Sequence, residues 1–417
     1  MQSLDIAVIG AGVAGLAAAD ELHRQGLTVA VFEARDRIGG RILTHRDARV
    51  PLPIELGAEL VHGEAPETGR ILRESGRLAI EVEGDTWEAE NGRLRRSERH
   101  WEQIDRLFKK IDASGPDRSF AEFLAGRPGG KSLAQAREEA RLFVQGFHAA
   151  DLEQFSAHSL AGDDSSEARN AGRVLGGYDQ VPAWLARDLA GSLRLGCPVT
   201  EIVWEPGKVE LTTNSGGRVQ ARAAVVTVPL GVLQSGAVRF QPEVPRLRET
   251  LGLLAMGSVR RVVFWFREVP WAQDCLSFLL TGDETFGVWW TAHPVRAPLA
   301  VAWCGGPPAA RLSGLSKDEI ADRALRVLAT HLGLSRRRVE SRVVDVWTHD
   351  WQTDPWSQGA YSYPRVGGAN AARALARPIK KTLFFAGEAT AGDDLNGTVE
   401  GALTSGLRAA QQVMRAL

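Results

Sequence analysis

The chain has 417 residues, with 50 Lys and Arg set against 51 Asp and Glu, 44 % hydrophobic residues and 24 % charged ones. That is a globular composition, too long for one ordinary core, and its balanced charge excludes a global field that gathers nucleic acid or an acidic membrane. A small molecule is the expected partner. Cys197, Cys275 and Cys304 stand too far apart for a disulfide framework or a paired metal motif, and no uninterrupted apolar run reaches the about 18 residues of a membrane span. A cytoplasmic chain without a metal is expected, and nothing in it signals an oligomeric state.

In chain order, "LDIAVIG" predicts a strand, "GAGVAG" a turn, "VAGLAAADELHRQG" a helix closed by Gly26, and "TVAVFEA" a second strand. Asp5 precedes this apolar run and glycines punctuate it, so it reads as a βαβ unit and not as a signal sequence. Gly10, Gly12 and Gly15 form GxGxxG between strand and helix. The first permits the tight turn, the second admits a pyrophosphate beside the backbone, and the third lets helix pack on strand. Glu33 ends the second strand about 20 residues on, where a carboxylate binds a ribose diol. "EARDRIGGR" then sets Arg35, Gly39, Gly40 and Arg41 for a second close passage of backbone and cation beside the phosphates.

"RHWEQIDRLFKKIDA" and "LAQAREEARLFVQGFHAAD" have helical periodicity and predict a helical insert over about 95–170. Strands return between Pro198 and Pro229, where "NSGG" turns "KVELTT" into "RVQARAAVVTV". Three more strands, "RRVVFWF", "FGVWWTA" and "PLAVAWCGG", precede a helix opened by a capping box of Ser316 and Glu319. "KKTLFFAGEAT" is a strand leading to a loop, and "TVEGALTSGLRAAQQVM" is the closing helix. The nucleotide-binding pieces thus form a discontinuous domain of residues 1–66, 187–236 and 376–417, with a second domain of 67–186 and 237–375 threaded through it. Arg260 and Arg261 sit at the mouth of "RRVVFWF". A strand-end arginine ordinarily snorkels to water, and Arg260 is expected to do so.

Five blocks, "GAGVAGL" with "VFEARDRIGGR", "IELGAELVHG", "TVPLGVL", "WQTDPWSQGAYSY" and "LFFAGEATAGDDLNGTVEGALTSGLRAA", resemble the FAD-dependent amine oxidases in family order and across essentially the whole chain. That family includes monoamine oxidases, polyamine and spermine oxidases and lysine-specific histone demethylases. The resemblance implies an α/β fold: a discontinuous Rossmann-like FAD-binding domain and a substrate domain of mixed β-sheet and helices, with the flavin ring between them. Carried over by position, Gly10, Gly12, Ala14, Gly15, Glu33, Ala34, Arg35, Gly40, Arg41, Gly57, Ala58 and Glu59 would line the cofactor, with Val199 beside adenine and Trp351 beside the flavin. Gly387 and Glu388 match the ribityl and pyrophosphate contact. Gly397, Thr398, Val399 and Ala402 open the last helix, whose macrodipole would favour negative charge on reduced flavin. Monoamine oxidases attach their flavin through a cysteine where this chain has Ala360, so the resemblance implies non-covalent FAD.

The activity implied is oxidation of a C–N bond in a primary or secondary amine, by hydride transfer to flavin N5, giving imine, then aldehyde, and hydrogen peroxide from O2. Tyr361 matches one wall of the family's aromatic cage. Thr398 matches the opposite wall of spermine oxidases and demethylases, and His62 a histidine at the pocket mouth of polyamine oxidases. Both lean toward a polyamine-like or bulky amine. A core tyrosine and a surface histidine are the plainer readings of Tyr361 and His62. Asp393 and Asp394 are either contacts for a cationic substrate or a solvated acidic loop. Arg261 stands where most members carry a lysine hydrogen-bonded through water to N5, and none of Lys109, Lys110, Lys131, Lys208, Lys317, Lys380 and Lys381 falls in a matching block. Arginine stays charged where a buried lysine deprotonates. The alternative is therefore a flavin dehydrogenase, desaturase or oxidative cyclase of a specialised metabolite with poor O2 reactivity; a non-catalytic flavoprotein is the reading from another class.

Overall fold

Strand Leu4–Ile9 is apolar and buried from Ile6 to Ile9, as a strand covered on both faces must be, while Leu4 and Asp5 at its start are half-buried. In the computed structural model, which describes residues 4–90, 92–97, 100–161, 171–392 and 395–417, it lies between Val29–Phe32 and the second half of Arg218–Val226, all parallel. Leu193–Arg194 extends one side and Leu383–Phe385 the other, making five parallel strands. The first half of Arg218–Val226 pairs instead with Lys208–Thr213, and that strand with Val199–Glu205, both antiparallel, around the expected turn at 214–217. Strand Arg239–Gln241 joins this meander, carrying the first sheet past residue 236.

Helices Val13–Arg24 and Val399–Met414 cover one face, so close that a Cβ on Gly406 would stand 2.2 Å from the Ala14 carbonyl oxygen. Helices Pro66–Ser75 and Gln180–Ala186 share that core through Ile71, Leu72, Val181 and Leu185.

The second sheet has seven strands, in the order Val343–His349, Val259–Phe266, Leu299–Gly305, Val288–Thr291, Leu276–Leu280, Asp85–Glu90 and Arg93–Arg96. The pleat of Val259–Phe266 sends alternate residues to opposite faces. Val262, Phe264 and Phe266 pack under helix Lys317–His331, which opens on the expected Ser316–Glu319 box, whereas Val263 packs against Val50 and Ile54 from the N-terminal part of the chain. Arg261 shares the face of Val263 by register. The insert has its own core, built by helices His100–Phe108, Phe120–Ala125 and Ala134–Phe147 around Ile104, Phe108, Phe120 and Phe143. No helix among the described residues is long and apolar enough to cross a membrane.

Candidate active site

The carboxyl ends of four parallel strands run into Gly10, Glu33, Thr227 and Gly387, and all four residues open on one cavity of about 1560 Å³. In an open α/β sheet that is where a ligand enters, and the volume exceeds the about 300–1,000 Å³ of a single-ligand pocket. The three glycines of the first turn divide the work. Gly10 has φ +107°, and a Cβ there would lie 2.6 Å from Thr227 Oγ1. Gly15 does not line the cavity: its Cβ would lie 2.0 Å from the Gly10 carbonyl oxygen, so it closes helix on strand. Gly12 is the helix N-cap without any side-chain cap, and a Cβ there would meet nothing nearer than 4.0 Å. Gly12, Val13 and Ala14 border the cavity, so the unsatisfied N–H groups of this helix end there, an arrangement that suits a phosphate.

The second glycine pair doubles this floor. Gly39 donates to the Ala11 carbonyl at 2.8 Å, and Gly40 lies against Gly12. Arg37, which sequence reasoning missed, holds the loop by donating to the carbonyls of Ile38, Gly40 and Ile42. Buried Glu33 accepts from Ala11 N–H at 2.6 Å and Arg35 N–H at 2.9 Å, and each carboxylate oxygen keeps a lone pair for a ribose hydroxyl. Ala34 and Val199 line the cavity beside it. Arg35 also borders the cavity, but its guanidinium is engaged by Asp354 at 2.8 Å and Ser357 Oγ at 3.0 Å.

Segment 56–59 forms a wall whose every residue is tied down. Leu56 O accepts from Trp351 Nε1 at 2.9 Å, Gly57 O from Arg261 Nη1 at 3.1 Å, and Ala58 N–H donates to Arg41 O at 3.2 Å. A Cβ on Gly57 would stand 1.9 Å from that same Arg41 oxygen. Arg41 itself reaches Glu388, whose other oxygen accepts from Ser362 Oγ at 2.7 Å and Gly397 N–H at 3.1 Å. Gly397, Val399 and Ala402 complete this end of the cavity.

Toward the helical insert the lining turns aromatic. Tyr361 donates from Oη to the Phe147 carbonyl at 2.5 Å, Trp303 donates from Nε1 to the Gly146 carbonyl at 2.9 Å, and the Phe147 ring meets His62 edge-on at 5.5 Å. Burial pushes the Tyr361 hydroxyl well above its ordinary range, so it stays a neutral phenol. Thr398 lines the cavity, yet its hydroxyl is taken up by capping the last helix, donating to Leu395 O at 2.7 Å and accepting from Gly401 N–H at 2.9 Å. Asp393 and Asp394 lie outside the described residues.

Neither strand-end arginine reaches water. Arg260, expected to snorkel, is 2 % exposed and ion-paired with Asp350, because the pleat turns it beneath the second sheet. Arg261 is 4 % exposed, lines the cavity and is ion-paired with Glu59. Expected as a cofactor contact, Glu59 borders the cavity but is clasped by Arg261, Arg173 at 2.8 Å and Trp290 Nε1 at 3.0 Å. Its burial opposes ionisation, but the two guanidinium groups outweigh it and hold the carboxyl at about 2. Among the described residues, no lysine lines the cavity. Arg173 and Trp290 carried no motif that marks them; Thr227 was also missed, although its place at a strand end within "TVPLGVL" is a signal that marks it.

An uncapped glycine helix at a strand switch point, a buried ribose-type carboxylate and an adjoining aromatic chamber define a dinucleotide-dependent oxidoreductase. The family model for flavin containing amine oxidoreductases matches residues 13–414, and the chain belongs to that family as a flavin-containing amine oxidase. It is 30 % identical to "Polyamine oxidase 2" of Arabidopsis thaliana over 98 % of this chain and 88 % of that one. It is 31 % identical to "Polyamine oxidase 3" of Oryza sativa subsp. japonica over 97 % and 88 %. A solved structure of wild-type putrescine oxidase bound to putrescine superposes with a TM-score of 0.85 at 25 % identity, covering 99 % of each chain.

Proposed function

We propose that the protein oxidises the C–N bond of a polyamine-like or bulky primary or secondary amine, using non-covalently held FAD and O2, to give imine, then aldehyde, and hydrogen peroxide. The observation that carries this reading is a single cavity running from the bare N-terminus of helix Val13–Arg24 to the aromatic end at Tyr361, Trp303 and Phe147. Relatives named as polyamine oxidases and a neighbour solved with putrescine support the substrate class. The residues present fit FAD. The N–H groups behind Gly12 would take the pyrophosphate, Glu33 the ribose hydroxyls, and the N-terminus at Thr398 negative charge at the far end. When bound, the flavin supplies the two-electron acceptor that takes a hydride from the amine's α-carbon.

What this chain does is orient and desolvate. Tyr361, locked by its bond to Phe147, presents a rigid π face to the amine, and the apolar surround favours the neutral amine that can give up hydride. His62 borders the cavity beside Phe147, where it can meet an entering amine. Ala360 offers no thiol for a covalent link, so FAD should leave with denaturation.

The deciding experiment is anaerobic mixing of the purified holoenzyme with putrescine, spermidine, spermine and bulky monoamines while following the flavin band, then admitting air. Bleaching and prompt peroxide support the reading; a flavin that no amine bleaches overturns it. The permanent charge of Arg261 favours a second reading, a dehydrogenase or cyclase with poor O2 reactivity. Its mark is bleaching followed by very slow reoxidation, accelerated in Arg261→Lys.

A further inference from the structure

Three side chains from three segments converge on one buried carboxylate. Glu59 Oε1 accepts from Arg173 Nε at 2.8 Å; Glu59 Oε2 accepts from Trp290 Nε1 at 3.0 Å and is ion-paired with Arg261. The Arg261 guanidinium also lies 5.4 Å from the centroid of the Trp290 ring and donates to Gly57 O at 3.1 Å. Arg173 is anchored at its far end, donating to the carbonyls of Thr291, Ala292 and His293. Oε2 is taken up by Arg261 and the indole, Oε1 keeps one lone pair beside Arg173, and the negative charge is spent on the two guanidinium groups.

We propose that Glu59 is a positioning residue and not a cofactor ligand: with Arg173 and Trp290 it clamps the Arg261 guanidinium against the cavity wall, where the arginine's charge acts on the bound flavin. An arginine side chain has many rotamers, and a charge works best on a ligand when that freedom is removed beforehand. Gly57 O alone is one acceptor on a five-donor group; the second bond and the indole face fix the plane. The inference rests on the flavin part of the reading above and is independent of which amine is oxidised.

The test is the flavin reduction potential of the holoenzyme, measured by equilibration with a reference dye, without any amine, in the wild type, Arg261→Gln, Glu59→Gln, Glu59→Asp and the double glutamine variant. Arg261→Gln should lower the reduced-to-oxidised ratio about tenfold, about 30 mV for a two-electron couple. Glu59→Gln should lower it by a similar factor, the double variant no further, and Glu59→Asp should recover most of the loss. A rise in Glu59→Gln, as deletion of a nearby anion acting alone would give, overturns the proposal, and so do losses that add. Should Glu59→Gln fail to retain flavin, Trp290→Phe and Arg173→Gln enter the same cycle with Arg261→Gln. Unchanged potentials in both then overturn the clamp and leave Glu59 as a cofactor ligand. Absence of amine turnover would sink the substrate reading and leave these potentials interpretable.

Discussion

From a single nitrogen, Nη1, Arg41 donates to Glu388 Oε1 at 2.8 Å and to the Ala360 carbonyl at 2.7 Å. One residue of the second glycine loop thereby holds two segments that come more than 300 positions later. Arg41→Met should leave Glu388 buried with its hydrogen bonds to Ser362 and Gly397 but no cation, costing about 3 kcal/mol of stability and most of the bound flavin. Denaturant unfolding and the flavin-to-protein absorbance ratio check this; a variant with full flavin and unchanged stability would show that the bridge is dispensable.

The first turn separates cofactor from fold. Gly12→Ala has room in the protein itself, since the nearest atom stands 4.0 Å away, but its methyl borders the cavity where the phosphates belong. It should fold with near wild-type stability and bind FAD at least about tenfold more weakly, a methyl at a close backbone approach costing over about 1 kcal/mol. Gly15→Ala collides with the Gly10 carbonyl at 2.0 Å and should destabilise the chain even without FAD. Thermal melts of the flavin-free proteins decide; equal melting of the two variants would contradict the division.

Glu55 is a buried carboxyl that accepts from Tyr178 N–H and Thr44 Oγ1, and burial raises its pKa from 4.5 to about 7 in spite of those bonds. A raised folded pKa means that the folded state binds the proton more tightly than the unfolded chain. Its stabilising contribution is whole below about 4.5 and is lost as pH climbs through about 7, a swing of about 3 kcal/mol. Urea unfolding at pH 5 and pH 8 should show that loss in the wild type and a smaller one in Glu55→Gln. Parallel losses would refute the assignment.

Tyr361 joins two roles that substitution can part. Tyr361→Phe keeps the ring but leaves the Phe147 carbonyl without its donor, so stability should fall by about 1 kcal/mol while amine turnover changes only a few-fold. Tyr361→Ala removes the π face and should lower kcat/KM by about 10- to 100-fold. Steady-state kinetics on any accepted amine separate the two, and equal kinetics in Phe and Ala variants would remove the ring from the site.

Much of this architecture was legible because glycine turns, strand ends and caps are local. Gly10, Gly12 and Glu33 act within one βαβ unit, and the Ser316–Glu319 box spans only four residues. The partners of charged residues were not legible. Arg260 and Arg261 are neighbours, but the pleat sends them to opposite faces, and the acids awaiting them, Asp350 and Glu59, come from opposite directions along the chain. Arg173 and Trp290 joined the site for the same reason: long-range pairing brought them there, and no spacing records it. The family resemblance named Glu59; its partners came only from the geometry.

Strand Arg218–Val226 waits, on its inner half, for Leu383–Phe385, and helix Val13–Arg24 waits for Val399–Met414. Earlier elements are therefore completed by elements that follow far along the chain. A nascent chain can build its glycine turn early, but the chamber around that turn closes only after Leu383–Phe385 and Val399–Met414 have emerged. Cofactor loading accordingly waits for helix Val399–Met414, and termination shortly before that helix should yield a chain that is colourless as well as short.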